Sequence, residues 1–311
     1  MSEGIDLHVH LAPASGVDDR CGPAALHDPA ALDAYLDRAD LAEAIVSIPP
    51  PYFRQGLTAA ETGVWAQRVN DGLLAAVTDH PRQTPLAYLP LDHPELAIQE
   101  YRRVRADPRF AGVCGAAGGR SASLADARFD PLWALLDADS RLVMLHPGTS
   151  PDERLEPFYL SNLLGNPVET AVAAAQLVFG GVVSRHPALR ILLVHCGGAV
   201  TAVAGRWDRG IATNRPGLHP LPETPGRSLR RFYVDCLAHD PGQVDRAAEV
   251  FGPERVVLGS DWPFAMGTDD PRSLVAHRGA AYVDAVATVH ADHALGRRPP
   301  LAPRTSAASI G

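Results

Sequence analysis

Two histidines separated by one residue end the first apolar run of the chain, and this pair limits the fold more than any other feature. Residues 5–10 have the length of a short strand, and His8 and His10 lie two positions apart within it. Residues two apart in a strand point to the same side of the sheet. One short segment can therefore present two imidazoles to a single metal ion.

Three later apolar runs also end in a side chain that binds metals or transfers protons, namely His146, His195 and Asp261. In a (β/α) barrel, polar residues at the carboxyl ends of buried strands build the active site. Buried histidines and a buried aspartate with no shared charge partner would be costly to fold. The pattern therefore predicts one metal site with these ligands: His8, His10, His146 and Asp261.

His195 has two interpretations that the sequence leaves open. Cys196, Gly197 and Gly198 follow it, so the backbone can turn tightly and approach a ligand closely. His195 is either a fifth ligand or a general acid/base beside the metal, and we favour the second because an imidazole titrates near neutral pH. The predicted catalytic residues are thus His195 and Asp261.

Short β-type runs alternate with helical segments along the whole chain. Alternation of this kind favours a parallel sheet, and eight units in roughly 260 residues match a TIM barrel. An open doubly wound sheet would carry a glycine-rich turn after the first strand, where this chain has Leu11, Ala12 and Pro13. We predict an α/β fold, a (β/α)8 TIM barrel of the metal-dependent hydrolase type. It would form one catalytic domain over residues 1–297, followed by a flexible tail over 298–311. The predicted strands are 5–10, 44–48, 84–89, 111–115, 142–146, 191–195, 231–235 and 256–260, and the clearest helices are 29–40, 58–80, 94–107, 131–140, 167–186 and 241–251.

Lysine is absent from the 311 residues, so every one of the 28 basic residues is arginine. This excludes a Schiff-base lysine, a P-loop lysine and a carbamylated lysine that bridges two metal ions. One divalent ion per chain is therefore favoured. Neutral imidazoles and a carboxylate suit zinc best, with manganese or iron as alternatives.

The charge pattern limits the partners. Net charge is −8 and no basic patch stands out, which argues against nucleic acid. No run of 18 apolar residues predicts a membrane span, and the first strand begins without a preceding signal peptide. The four cysteines are widely spread with no paired spacing, which is typical of a reduced, cytoplasmic protein.

The motifs resemble, in their order and in their residues, those of the amidohydrolase-related decarboxylases. The aminocarboxymuconate-semialdehyde decarboxylases are typical of that family. The resemblance implies a TIM barrel with one divalent metal, usually zinc or manganese, and assigns the ligands and His195 as above. It also implies a homodimer in which an arginine of one subunit reaches the active site of the other. In this sequence Arg215 lies near the position of that arginine. The segments that carry the resemblance are 5–13, 145–147, 164–170, 179–182, 194–199, 205–206, 232–235 and 258–264.

We predict a non-oxidative decarboxylase that acts on a small aromatic or unsaturated carboxylic acid. The predicted substrate-binding residues are Arg206, which the resemblance places at the substrate carboxylate, with Arg54, Phe53 and Asn162. The same site could serve a hydrolase of an amide, lactone or ester, or a hydratase, because the ligand motifs do not separate these reactions. A barrel that binds metal only structurally is the non-enzymatic alternative.

Overall fold

The computed structural model describes residues 4–14 and 21–298, and eight parallel strands form its centre. Each strand pairs with the next one along the chain, from the first to the eighth. The predicted (β/α)8 barrel is therefore confirmed. The strands are β1 (Ile5–His10), β2 (Glu43–Ser47), β3 (Gln83–Tyr88), β4 (Gly112–Ala117), β5 (Leu142–Pro147), β6 (Arg190–Leu193), β7 (Tyr233–Asp235) and β8 (Val256–Val257).

The barrel closes between β1 and the segment that follows β8. Leu7 N donates to Leu258 O at 3.0 Å, and Asp261 N donates to His8 O at 2.8 Å. Val9 and Trp262 then form a parallel bridge. The chain at Asp261 is thus held against the histidine pair by main-chain hydrogen bonds rather than by side-chain packing alone.

Helices cover the outside of the strands. Proline stands in the first turn of several of them, where its missing N–H leaves no helical hydrogen bond unmade. Thr58 and Glu61 form a reciprocal capping box at another. The helices are α1 (Pro29–Arg38), α2 (Ala59–Val77), α3 (Pro94–Val104), α4 (Asp130–Asp139), α5 (Asn166–Phe179), α6 (Val182–Arg185), α7 (Val200–Ala212), α8 (Pro225–Leu229), α9 (Pro241–Phe251), α10 (Ala280–Ala287) and α11 (Val289–Ala294).

Burial follows this layering. Every residue of β1, β4 and β5 is buried, as expected for parallel strands covered by helices on the outside. Leu7, Met144 and Leu192 are fully enclosed and belong to one continuous apolar core. Within the described ranges, no helix combines the length and the apolar character that a membrane crossing requires.

The helix predicted over residues 167–186 is wrong as a single element. It is two helices, α5 and α6, because the chain turns at Gly180 and Gly181. Gly181 has φ +68°, a left-handed conformation that glycine adopts without strain, and a Cβ on Gly180 would lie 2.3 Å from Ala125 Cβ. The domain bounds 1–297 stay a prediction, and residues 299–311 of the predicted tail lie outside the described residues.

Candidate active site

Four imidazoles and one carboxylate meet at the rim formed by the carboxyl ends of the strands. His8 and His10 end β1, His146 is the penultimate residue of β5, and His195 and Asp261 follow β6 and β8. Neighbouring imidazole centroids are 5.0–5.3 Å apart. Residues from four separate parts of the chain therefore form one cluster, as their placement after apolar runs predicts.

Three of the imidazoles use Nδ1 for a hydrogen bond outside the cluster. His8 Nδ1 lies 2.7 Å from Asp235 Oδ2, His10 Nδ1 lies 3.0 Å from Ser47 Oγ, and His146 Nδ1 lies 3.2 Å from the carbonyl oxygen of its neighbour Pro147. A carboxylate or carbonyl only accepts, which places the proton of the neutral His8 and His146 rings on Nδ1. The Ser47 hydroxyl donates to Val9 O at 3.4 Å, which leaves its oxygen to accept from His10 Nδ1. The three Nε2 lone pairs then face the interior of the cluster.

Lone pairs in that arrangement suit a cation. His8 Nε2 and His10 Nε2 lie 3.2 Å apart, and His146 Nε2 is buried with no hydrogen-bond partner among the described residues. Ligand atoms of His8, His146, His195 and Asp261 all lie within 4.8 Å of one another. Imidazole nitrogens and a carboxylate oxygen at such spacing match the donors that bind a divalent transition metal. The structure thus contains a metal site, and these side chains fit it.

The electrostatics agree with neutral imidazoles at His10 and His146 beside an ionised carboxylate. Burial lowers the pKa of His10, and burial together with the surrounding imidazoles holds the pKa of His146 well below its usual value. Burial opposes ionisation of Asp261, but contacts with His10 and His195 outweigh it and hold its pKa well below the ordinary range. His10 Nε2 lies 3.0 Å from Asp261 Oδ1. The carboxylate is therefore ready to bind a metal without first losing a proton.

Asp235, the last residue of β7, connects two parts of the cluster. Its Oδ2 accepts from His8 Nδ1 and, at 2.9 Å, from His195 N. Its Oδ1 accepts from Cys196 N at 2.7 Å and from Leu237 N at 3.1 Å. This fully buried carboxylate orients the His8 ring and holds the main chain of His195 at the same time.

The backbone at two of the functional side chains is in an unusual conformation. His195, Cys196 and Asp261 have φ values of 54°, 55° and 57°, in the left-handed region that residues with a Cβ rarely adopt. Gly198 permits the turn beside His195, since a Cβ there would lie 2.5 Å from Pro167 O. Strain of this kind persists only where surrounding contacts over-determine the chain. The hydrogen bonds to Asp235 do so at His195 and Cys196, and the hydrogen bond from Asp261 N to His8 O does so at Asp261.

Aromatic rings border the imidazoles on two sides. Phe53 packs edge-on against His146 at 5.9 Å and stacks on Tyr88 at 5.7 Å. Phe264 packs edge-on against His10 at 5.3 Å. An aromatic or conjugated ring would find apolar surfaces here.

The other predicted substrate-binding residues, Arg54, Asn162 and Arg206, lie on three different segments of the chain. The Arg54 guanidinium stacks 3.9 Å above the Trp65 ring. Asn162 lies in a π-helical turn (Ser161–Gly165) just before α5, and Arg206 lies on an exposed face of α7. Arg215 donates to the Thr213 carbonyl at the surface. Their roles toward a substrate stay predictions.

Neighbours of the cluster that were not among the predicted site residues include Ser47 and Phe264. Ser47 ends β2 and contacts His10, and Phe264 follows Asp261 by three residues. The available signal for Ser47 was a polar residue one position before the end of a predicted buried strand, which is similar to the signal that identifies His146. The position of Phe264 depends on the turn after β8 and has no such signal.

Comparisons with known proteins agree with this geometry. The family model described as amidohydrolase matches residues 5–288. The 2-amino-3-carboxymuconate-6-semialdehyde decarboxylase of Dictyostelium discoideum is 29% identical over 252 residues, which cover 80% of this chain and 70% of that protein. The gamma-resorcylate decarboxylase of Rhodococcus jostii is 28% identical over 74% of this chain and 75% of its own length.

A solved structure extends the likeness to the whole fold. The dihydroxybenzoic acid decarboxylase of a Polaromonas species, determined with bound manganese and the inhibitor 2-nitroresorcinol, superimposes with a TM-score of 0.83. The alignment covers 96% of this chain and 98% of that one at 20% identity, so it shows a shared fold. From the family match over most of its length, the barrel and the metal site at its rim, we conclude that the chain belongs to the amidohydrolase family.

Proposed function

We propose that this chain is a metal-dependent, non-oxidative decarboxylase of small aromatic or unsaturated carboxylic acids. The observation that carries the proposal is the convergence of three Nε2 atoms, one carboxylate and His195 at a single rim. The relatives named above are decarboxylases by name, which favours carbon dioxide release over hydrolysis or hydration as the use of this site.

In this proposal the metal is held by four side chains and His195 acts beside it. Bound there, a divalent ion supplies positive charge that orients a substrate oxygen and stabilises developing negative charge. Exposure separates His195 from the other imidazoles: its side chain is 20% exposed, whereas His8, His10 and His146 are at most 2% exposed. A partly exposed imidazole can reach a substrate. The proposed ligands are His8, His10, His146 and Asp261.

His195 donates the proton that the reaction needs. Protonation of the carbon that carries the carboxylate breaks the conjugation of the ring. The bond from that carbon to the carboxylate then breaks, its electron pair restores the conjugation, and carbon dioxide leaves. His195 regains its proton from water. No organic cofactor is required for these steps.

The surroundings of the cluster favour a flat, conjugated substrate. Phe53 and Phe264 offer apolar surface against His146 and His10. We assign Arg206 and Arg54 to substrate carboxylates, because a guanidinium binds a carboxylate through two parallel hydrogen bonds. Asn162 contributes amide donors from the turn before α5.

Three further features belong to the proposal. Zinc is our preferred ion, on the ligand chemistry, and manganese is the alternative since the Polaromonas structure contains it. A homodimer and a cytoplasmic location are proposed from the resemblance and from four cysteines that form no disulfide within the described residues.

The experiment compares two classes of compound on protein of known metal content. One set contains muconate-type acids and hydroxybenzoates such as 2,6-dihydroxybenzoate, with which a decarboxylase of the same fold has been crystallised, and the other contains lactones and esters. We expect carbon dioxide from one of the acids. In deuterated water, the product should carry one deuterium at the carbon that lost the carboxylate. Hydrolysis of a lactone or ester with no carbon dioxide from any acid would contradict the proposal.

The variant His195→Ala tests the proton donor. Loss of a general acid should lower turnover by roughly 100-fold to 10,000-fold, while the metal content stays at the wild-type value. His277→Ala is the matched control, since His277 pairs with Asp245 and is not one of the four clustered imidazoles. Undiminished turnover of His195→Ala with metal still bound would show that another group donates the proton.

A further inference from the structure

We propose that Gln55 is a positioning residue, whose side-chain amide fastens the loop that carries Phe53 to the rim beside His146. The loop joins β2 to α2 and spans residues 48–58, and we call it the β2 loop. The inference deepens the proposed function, on which it rests for its kinetic test. It names the group that holds Phe53 where the ring of a substrate would lie.

The Gln55 amide has a hydrogen-bond partner on both of its ends. Nε2 donates to Gly118 O at 3.3 Å and to Ser121 Oγ at 2.9 Å, and Oε1 accepts from Arg120 N at 3.4 Å. Ser121 Oγ can accept because its own proton goes to Ala116 O at 2.9 Å. All three partners of the amide belong to the turn that follows β4. One side chain therefore ties the β2 loop to that turn.

Two glycines at the rim leave the space that this amide fills. A Cβ on Gly119 would lie 2.5 Å from Gln55 Oε1, and a Cβ on Gly148 would lie 2.4 Å from the same atom. Any other residue at either position would displace the amide. Gly148 comes two residues after His146. The Gln55 amide thus lies against the segment that leaves a proposed metal ligand.

Other contacts hold the β2 loop on the side that precedes Gln55. The Tyr88 hydroxyl donates to Phe53 O at 2.6 Å, and Trp65 Nε1 donates to Tyr52 O at 2.9 Å. These donors lie on β3 and α2, so the loop is bonded to three separate elements within four residues. Loops at a barrel rim are commonly mobile. The contacts of this one define a fixed wall, which Gln55 attaches to the rim.

The fixed wall matters because of where the Phe53 ring lies. The side chain is buried, stacks on Tyr88 and meets the His146 ring edge-on at 5.9 Å. A ring that is already in place when a substrate arrives pays no ordering cost on binding. Without the Gln55 amide the loop would sample further positions, and the apparent affinity would fall with the fraction of chains in the binding-competent one.

The kinetic test uses Gln55→Ala and Phe53→Ala, alone and combined, on protein of equal metal content. With the acid that the wild type decarboxylates, Gln55→Ala should raise KM by roughly 10-fold and change kcat by less than about threefold, because it weakens ring binding and leaves proton transfer from His195 intact. On the Phe53→Ala background the same change should raise KM by less than about twofold, since Gln55 acts through that ring. Equal rises of KM on both backgrounds would overturn the proposal.

Hydrogen exchange of the metal-loaded protein, without substrate, tests the fastening itself. In Gln55→Ala the amides of residues 52–57 and 118–121 should exchange roughly 10-fold faster or more, because local opening becomes easier. Gln55→Glu should act in the same way, since it keeps the length of the side chain but replaces its N–H donors with an oxygen that faces Gly118 O. Unchanged exchange in both segments would overturn the proposal. If no acid is decarboxylated, the proposed reaction is wrong, and the exchange rates still decide whether Gln55 fastens the loop.

Gln83→Ala is the matched control. Gln83 begins β3, at the end of the strands opposite the rim, and its Nε2 also donates twice, to Pro29 O at 2.7 Å and to Asp33 Oδ1 at 2.9 Å. This variant should lower the unfolding temperature while KM and the exchange of residues 52–57 and 118–121 stay at wild-type values. A rise of KM equal to that of Gln55→Ala would show that a general loss of stability, rather than the position of Phe53, explains the effect.

Discussion

At the scale of single residues, the cluster depends on side chains that do not face it. Asp235 accepts hydrogen bonds from the His8 ring and from the main chain of His195 and Cys196. Gly259 makes this approach possible, because a Cβ there would lie 2.6 Å from Asp235 Cβ and 2.9 Å from His8 Cβ. Residues that orient metal ligands commonly affect metal affinity nearly as much as the ligands themselves do.

Replacing Asp235 tests this dependence. Asp235→Asn exchanges one acceptor oxygen for an amide that only donates, so either the His8 contact or the Cys196 contact is lost. We expect the metal dissociation constant to rise by roughly 10-fold to 100-fold, measured by competition with a chelator. Asp240→Asn is the control: its amide oxygen can still accept the N-cap hydrogen bond of α9 from Gly242 N, so both the stability and the metal affinity should stay close to wild type. Wild-type affinity in Asp235→Asn would contradict the positioning role.

At the scale of elements, one carboxylate connects two neighbouring outer helices. Asp139 ends α4, and the guanidinium of Arg105, which follows α3, binds it through both oxygens at 2.6 and 2.9 Å. The Tyr101 hydroxyl donates to the same carboxylate at 2.6 Å. The Arg105 hydrogen bonds, followed by that of Tyr101, lower the pKa of Asp139 despite its partial burial.

This contact predicts a pH-dependent stability. A folded-state pKa below the unfolded value of about 3.9 stabilises the fold above that pH, and the contribution disappears as the pH falls toward the folded pKa. Asp139→Asn should therefore cost about 1 kcal/mol near neutral pH, and the difference from wild type should shrink below about pH 4. Urea unfolding at a series of pH values measures it.

Asp37→Asn serves as the comparison for that experiment. Asp37 also pairs with an arginine, Arg82, at 2.6 Å, but its side chain is 72% exposed. Solvent screens such a pair, so this variant should change the free energy of unfolding by no more than a few tenths of a kcal/mol. If Asp139→Asn lowered the free energy of unfolding by the same amount at every pH, packing rather than the ionised carboxylate would hold the two helices together.

At the scale of the whole molecule, the strand order and the imidazole cluster could be predicted because both follow local rules. His8, His146 and Asp261 each end or follow an apolar run, and parallel strands bring such ends to one rim. The left-handed conformations of His195 and Asp261 could not be predicted, since tertiary hydrogen bonds impose them. The exposure of Val168 and its neighbours could not be predicted either. An apolar helix has the same sequence pattern whether the protein core or a partner covers it.

The most direct test of the account measures carbon dioxide release against metal content per chain. Metal is removed with a chelator and restored stepwise, with zinc and manganese in separate series, on wild type and on His146→Ala combined with Asp261→Asn. We expect activity to rise in proportion to metal up to one ion per wild-type chain, and the double variant to bind no stoichiometric metal. Full release of carbon dioxide from metal-free protein, or one ion per chain retained by the double variant, would contradict the central claim.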